Sequence, residues 1–236
     1  MQNNLIVYGC SHSNGVGLDD NIVYPVLVSS KNNLNLIKRY ANSLSNEILE
    51  KLFFYDFYDV NTIGNIYNLE KHNVSFNTGD IVIFQLTHWN RYSAFNNKET
   101  IPILLSADYT NFTDYDYETG NKLNQYRDLH FYFSNTNYSI YKNLFSIANY
   151  QLVLKNIGIN SIVLIWDEFN DENFLEKIGL KNYIKNIFLE SEILNLQNKH
   201  DAACKNNPVL ENDLHLNKMG NEWLANQINN LIKKYE

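Results

Sequence analysis

Cysteine is scarce in this chain of 236 residues: there are two, Cys10 and Cys204. They form no Cys-x-x-Cys and no zinc-ligand spacing, which excludes a disulfide scaffold and a zinc ribbon. Only three prolines occur, with no Gly/Ser-rich linker and no internal repeat, so nothing marks a domain boundary and the chain reads as one domain, 1–236. The nine glycines form neither the G-x-G-x-x-G of a dinucleotide fold nor a loop ending in Gly-Lys-[Ser/Thr]. No apolar run approaches the roughly 18 residues of a membrane span, so no membrane partner is expected. The start, Met1-Gln2-Asn3-Asn4, lacks a basic region, and no signal peptide is expected. Positive charge is also short: 19 Lys and Arg stand against 26 Asp and Glu, net −7, with no basic cluster. Phosphate backbones need a basic face, so nucleic acid is not an expected partner.

What is plentiful is asparagine, with 40 residues. Ile, Lys and Tyr are common too, and the shared AT-rich codons point to a low-GC genome. An Asn beside any motif therefore carries little weight. The 44% hydrophobic fraction is ordinary for a globular protein. Strands are expected at 5–8, 34–40, 81–86 and 161–166, the last two as continuous apolar runs of the kind buried on both faces. Helices are expected at about 20–30, 45–55, 136–157 and 183–198, with a strongly amphipathic one from Asn217 to the C-terminus. Alternating strands and helices predict an α/β fold with a mostly parallel sheet. In such sheets, sites form at the carboxyl ends of the strands. Ser11, the 87–91 stretch and Asp167-Glu168 all follow strands and fall at that edge.

Two segments at opposite ends carry the chemistry. The run Leu5-Ile6-Val7-Tyr8 leads into Gly9-Cys10-Ser11-His12-Ser13, and Asp213-Leu214-His215 precedes the C-terminal helix. Serine, histidine and aspartate are the residue types that nucleophilic acyl transfer needs. A second Asp-x-His, Asp128-Leu129-His130, runs into Phe131-Tyr132-Phe133. The context favours 213/215, because a docked helix with Asn217 at its N-cap anchors that loop. Cys10 is read as packing. His12 and His88 with Asp167 offer no zinc-ligand spacing, so no metal and no cofactor is expected.

The Gly9-Cys10-Ser11-His12-Ser13 block after a first strand, with Asp213-x-His215 before a C-terminal helix, resembles the SGNH (GDSL-type) hydrolase family. Cys10 stands where the family usually has Asp. The resemblance implies a flavodoxin-like three-layer α/β/α sandwich, a Ser11/His215/Asp213 triad and ester hydrolysis without a metal. The family's second block, whose backbone N–H helps form an oxyanion hole, aligns with 41–46 and places Ser43 at its Gly. Its third block donates an Asn side chain; here the register puts Thr87 at that position and Asn90 three residues on. The implied oxyanion hole is Ser11, Ser43 and one of Thr87 or Asn90, with His12, His88 and Arg91 as candidate substrate contacts.

Residues 92–150 hold nine of the 17 tyrosines, amid Asn and Asp, within or next to an expected insertion at about 92–135. Flat amphipathic rings suit stacking on sugars, so the expected partner is a small-molecule or glycan ester, an acetylated carbohydrate among them. Two rival readings stand beside the esterase: a catalytically weak SGNH-like protein that binds glycans or serves in virion assembly, and a phosphate-cradling α/β domain built on the glycine-rich start. The expected location is cytoplasmic or virion-associated.

Overall fold

The computed structural model describes residues 2–15, 18–40, 46–58, 74–86, 92–96, 99–105, 136–165, 174–177, 179–184, 187–189 and 216–235. Strand β1 (Asn4–Gly9) is buried along its whole length. A single helical turn, α1 (Ser11–Asn14), follows it. The helix expected over 20–30 is split. A 3-10 turn covers Asp20–Ile22, Val23 is extended, and α2 (Tyr24–Lys31) begins there with Pro25 in its first turn. Proline has no N–H to give and its fixed φ suits a helix start, so it sets the boundary.

Next come β2 (Asn35–Tyr40), α3 (Asn46–Phe57) and β3 (Ile81–Leu86). A hairpin of β4 (Tyr92–Asn96) and β5 (Glu99–Leu105) forms its own antiparallel pair within the expected insertion. Then follow α4 (Thr136–Asn156), β6 (Asn160–Ile165), α5 (Phe174–Lys177), β7 (Ile187–Leu189) and α6 (Lys218–Ile232).

The main sheet has the order β2-β1-β3-β6-β7, and every pair is parallel. With the hairpin set aside, this is the 2-1-3-4-5 order of flavodoxin-like folds. The expected α/β class with a parallel sheet is therefore the observed one. One element differs. A helix was expected over 183–198, but Ile187–Leu189 is a strand paired with Val163, Leu164 and Ile165. The open edge of β6 offers each of these residues a backbone partner, a tertiary contact that overrides the local helical pattern. The remainder of that span, 185–186 and 190–198, lies outside the described residues.

Side chains alternate across the sheet, as the two-residue strand period requires. Leu5, Val7, Ile81, Ile83, Ile162 and Leu164 pack with Tyr24 and Val28 of α2 and with Leu224, Ala225, Ile228 and Ile232 of α6. Ile6, Tyr8, Val82, Phe84, Val163 and Ile165 pack on the opposite face with Ile48, Leu52 and Phe53 of α3 and Leu144, Ile147 and Leu154 of α4. Each fully buried large side chain stabilises this arrangement by about 1.5–3 kcal/mol. Buried Asp80 ties the starts of two central strands together. It accepts from the Asn4 N–H at 2.7 Å, the Asn4 side chain at 3.1 Å and the Asn77 N–H at 2.9 Å.

Candidate active site

In a 2-1-3-4-5 sheet the direction of winding reverses between β1 and β3, and a crevice opens there at the carboxyl ends. Ser11 is the second residue past the end of β1 and stands at that edge. Its residue is 5% exposed, and its Oγ lies 3.9 Å from Cys10 Sγ.

The turn around Ser11 is built by local sequence. Cys10 is extended and serves as the N-cap residue, its carbonyl accepting from the N–H groups of Ser13 at 3.0 Å and Asn14 at 3.1 Å. Gly15 ends the turn at φ 67°, a left-handed conformation that favours glycine, and its N–H donates to the Ser11 carbonyl at 2.9 Å. Gly9 is needed for a different reason. A Cβ there would overlap Ser13 Oγ and come within 2.8 Å of Ser13 Cβ, so the turn folds back over a position that has no room for a side chain.

Beneath the turn lies a polar support inside an apolar strand. Gln85 Oε1 accepts from the Cys10 N–H at 2.9 Å and from Ser13 Oγ at 3.1 Å, while Gln85 Nε2 donates to the Leu86 carbonyl at 2.9 Å. Ser13 Oγ also lies 2.6 Å from the Tyr24 hydroxyl. Burial holds the Tyr24 phenol well above the ordinary range, since the phenolate would be desolvated. Tyr24 is therefore protonated throughout the physiological range.

The C-terminal helix starts where expected. Asn217 is its N-cap, the side chain accepting from the Gly220 N–H at 2.9 Å. Leu216, the residue after His215, is buried in the same cluster as Leu5 and Val7 of β1. Asn221, fully buried, donates from Nδ2 to the Leu216 carbonyl at 3.1 Å and the Asn217 carbonyl at 3.0 Å, and accepts at Oδ1 from the Tyr24 N–H at 2.8 Å.

Of the residues singled out in the sequence, Ser11 lies at the strand tip and His12 follows it in the turn, with its side chain outside the described part. Asp213, His215, Ser43, Thr87, His88, Asn90 and Arg91 all lie outside the described residues. Cys10 is a free, buried cysteine, as its reading as a packing residue requires. The supports Ser13, Tyr24, Gln85 and Asn221 were not foreseen. One signal was available: Gln85 interrupts the run Ile81-Val82-Ile83-Phe84, and a polar side chain in a strand buried on both faces must have partners.

Neither a protein-family model nor a curated protein sequence matches the chain. Solved structures do. The psychrotrophic esterase EstA from Pseudoalteromonas sp., in a structure inhibited by monoethylphosphonate, superposes with a TM-score of 0.50 at 12% identity, covering 99% of this chain and 98% of that one. A putative lipolytic protein of the G-D-S-L family from Desulfitobacterium hafniense DCB-2 gives a TM-score of 0.44 at 10% identity over 98% and 99% of the two chains. A member of the lipolytic protein G-D-S-L family from Veillonella parvula DSM 2008 gives 0.48 at 11% over 98% of both. The chain thus shares its fold, a parallel sheet in the 2-1-3-4-5 order with helices packed on both faces, with EstA along nearly its whole length.

Proposed function

We propose that this protein is a serine esterase that works through an acyl-enzyme. The observation that carries the reading is the position of Ser11. It stands at the carboxyl edge beside the switch point of the sheet, on a turn whose buried hydrogen bonds lead to the residue adjoining His215. A nucleophile presented at that edge is the first requirement of acyl transfer, and the anchored Leu216 leaves its sequence neighbour His215 as the candidate base.

In this mechanism Ser11 Oγ attacks the ester carbonyl while His215 takes its proton. The tetrahedral oxyanion is held by the Ser11 N–H, the Ser43 N–H and a side chain of the 87–91 loop, Thr87 or Asn90. Collapse expels the alcohol, which receives the proton from His215, and leaves Ser11 acylated. Water, deprotonated by His215, then releases the acid and regenerates the hydroxyl. Asp213 orients the imidazole and stabilises its charged form. The substrate class that the Tyr-rich stretch suits is an acetylated carbohydrate, with His12, His88 and Arg91 placed by sequence to meet it.

The test is covalent labelling with a fluorophosphonate, followed by p-nitrophenyl acetate hydrolysis. The wild-type protein labels at Ser11, and Ser11→Ala abolishes both labelling and turnover. His215→Ala lowers turnover by several orders of magnitude, as loss of a triad member does. Activity falls at acid pH, where a protonated imidazole cannot accept the serine proton. Labelling of Ser11→Ala at the wild-type rate, or a wild-type protein that neither labels nor turns over, sinks the reading.

A further inference from the structure

Four buried side chains beneath the candidate site take no part in bond making, yet they join its two halves. Their donors and acceptors can be assigned by counting hydrogens. Gln85 Oε1 receives both the Cys10 N–H and the Ser13 hydroxyl hydrogen. A serine hydroxyl has one hydrogen, so at its 2.6 Å contact with Tyr24 it is the acceptor and the phenol donates. Gln85 Nε2, facing the Leu86 carbonyl, fits only that amide orientation. From Tyr24 the route continues through the same residue's N–H to Asn221 Oδ1, and from Asn221 Nδ2 to the Leu216 carbonyl. Ser13, Tyr24, Gln85 and Asn221 are each 0% exposed, so water does not compete for these bonds.

We propose that Tyr24 and Asn221 are positioning residues, which hold the Ser11 turn and Leu216, the residue that follows His215, at a fixed separation. The inference rests on the esterase reading of Ser11 and His215. Its physical basis is the short range of proton transfer. A general base must lie within about 2.6–3.2 Å of the group it deprotonates. The packing of Leu216 alone is non-directional and tolerates sliding, whereas two hydrogen bonds from one fixed amide define where the carbonyls of residues 216 and 217 lie.

The same helix pair supplies an internal control. About two turns further along α6, Asn229 Oδ1 accepts from Asn32 Nδ2 of the residue capping α2, at 2.6 Å, and Asn229 is likewise buried. That bond also ties α2 to α6, but it leads neither to the Ser11 turn nor to Leu216.

The experiment compares Tyr24→Phe, Asn221→Ala and Asn229→Ala with the wild-type protein in thermal stability, fluorophosphonate labelling rate, and kcat, KM and pH profile for p-nitrophenyl acetate. A mispositioned base costs up to about 10²-fold in rate, so Asn221→Ala lowers kcat and labelling by about 10- to 100-fold with KM nearly unchanged, and Tyr24→Phe lowers them by a smaller factor in the same pattern. The alkaline plateau of the kcat/KM profile drops in both. Asn229→Ala loses comparable Tm but keeps kcat. The proposal is overturned if Tyr24→Phe and Asn221→Ala label at the wild-type rate, or if Asn229→Ala loses kcat as steeply. Should Asn221→Ala not fold, Tyr24→Phe decides alone, because it removes a single oxygen. Absence of Ser11 labelling in the wild-type protein instead removes the esterase reading, and this inference with it.

Discussion

The two faces of the central sheet are held by different physics. Against α3 and α4 the contact is made of rings: Phe53 touches Tyr8, Phe57, Phe76, Phe84 and Tyr150 with centroids 4.5 to 5.9 Å apart. Against α2 and α6 the apolar contact is threaded with amides and hydroxyls, among them Ser13, Tyr24, Asn32, Asn221 and Asn229. Aromatic burial contributes much energy in proportion to area but fixes position loosely. Hydrogen bonds between buried groups add little net energy, yet each unmade one is costly, so they select one register. The face that buries Leu216, the residue after His215, is the one fixed by directional bonds. Both faces bury an apolar cluster, but the aromatic rings gather on one side and the directional bonds on the other.

If this division holds, the largest stability loss comes from the ring side. Phe53→Ala removes the centre of the aromatic cluster and leaves a cavity, with an expected loss of about 3–5 kcal/mol in urea unfolding. The surviving folded protein keeps its labelling rate at Ser11. A labelling rate that falls as far as in Asn221→Ala would show that the two faces are not separable.

The ring side also holds a buried ion pair, and it sharpens the contrast. Arg39 of β2 and Asp56 of α3 form a bidentate pair, Nε to Oδ2 at 2.7 Å and Nη2 to Oδ1 at 2.6 Å, with side chains only 7% and 6% exposed. The Tyr8 hydroxyl donates to Asp56 Oδ2 at 2.8 Å. Burial, reinforced by the Asp56 charge, holds the Tyr8 phenol far above its ordinary range. Asp56→Ala removes both bonds of that bidentate pair from a buried guanidinium and is expected to cost about 3 kcal/mol or more, while combining it with Arg39→Met recovers most of the loss, because a desolvated ion pair adds little over apolar packing. Equal stability of the single and double variants would contradict that account.

The sequence disclosed these regions unevenly, and the reasons are local. Ile81–Phe84 and Ser161–Ile165 announced themselves because a strand buried on both faces needs no polar residue. The helix expected over 136–157 was found over Thr136–Asn156. The hairpin of β4 and β5 was not: Pro102 within a strand and an Asn-rich turn argue against pairing when read alone. Ile187–Leu189 depends on the edge of β6, which no local pattern displays. At the site, Ser11 was legible as a serine in a small-residue turn after an apolar run. Its supports were not, because they join positions 13, 24, 85 and 221, and only the folded chain brings these together.

The smallest expected effect concerns alkaline pH and again separates the faces. Tyr24 and Tyr40 on the amide side are held above the phenol range by burial, and Tyr150 on the ring side is pushed up to about 12 by burial with help from Glu50. A phenol whose folded pKa exceeds its unfolded value leaves the unfolded chain with fewer bound protons once the pH passes the ordinary value of 10.0. Stability from these groups is therefore complete below about pH 9, declines from about pH 10, and goes on falling until each folded phenol ionises. Each such group adds a slope of at most about 1.4 kcal/mol per pH unit. The contribution of Tyr150 levels off near 12, while that of Tyr24 continues beyond it. Urea unfolding between pH 8 and 11 is expected to show a shallower decline for Tyr24→Phe than for the wild-type protein, by about 1 kcal/mol at the upper end. An unchanged decline in that variant would mean that the Tyr24 hydroxyl reaches water, and that the Ser13 turn is not sealed on its amide side.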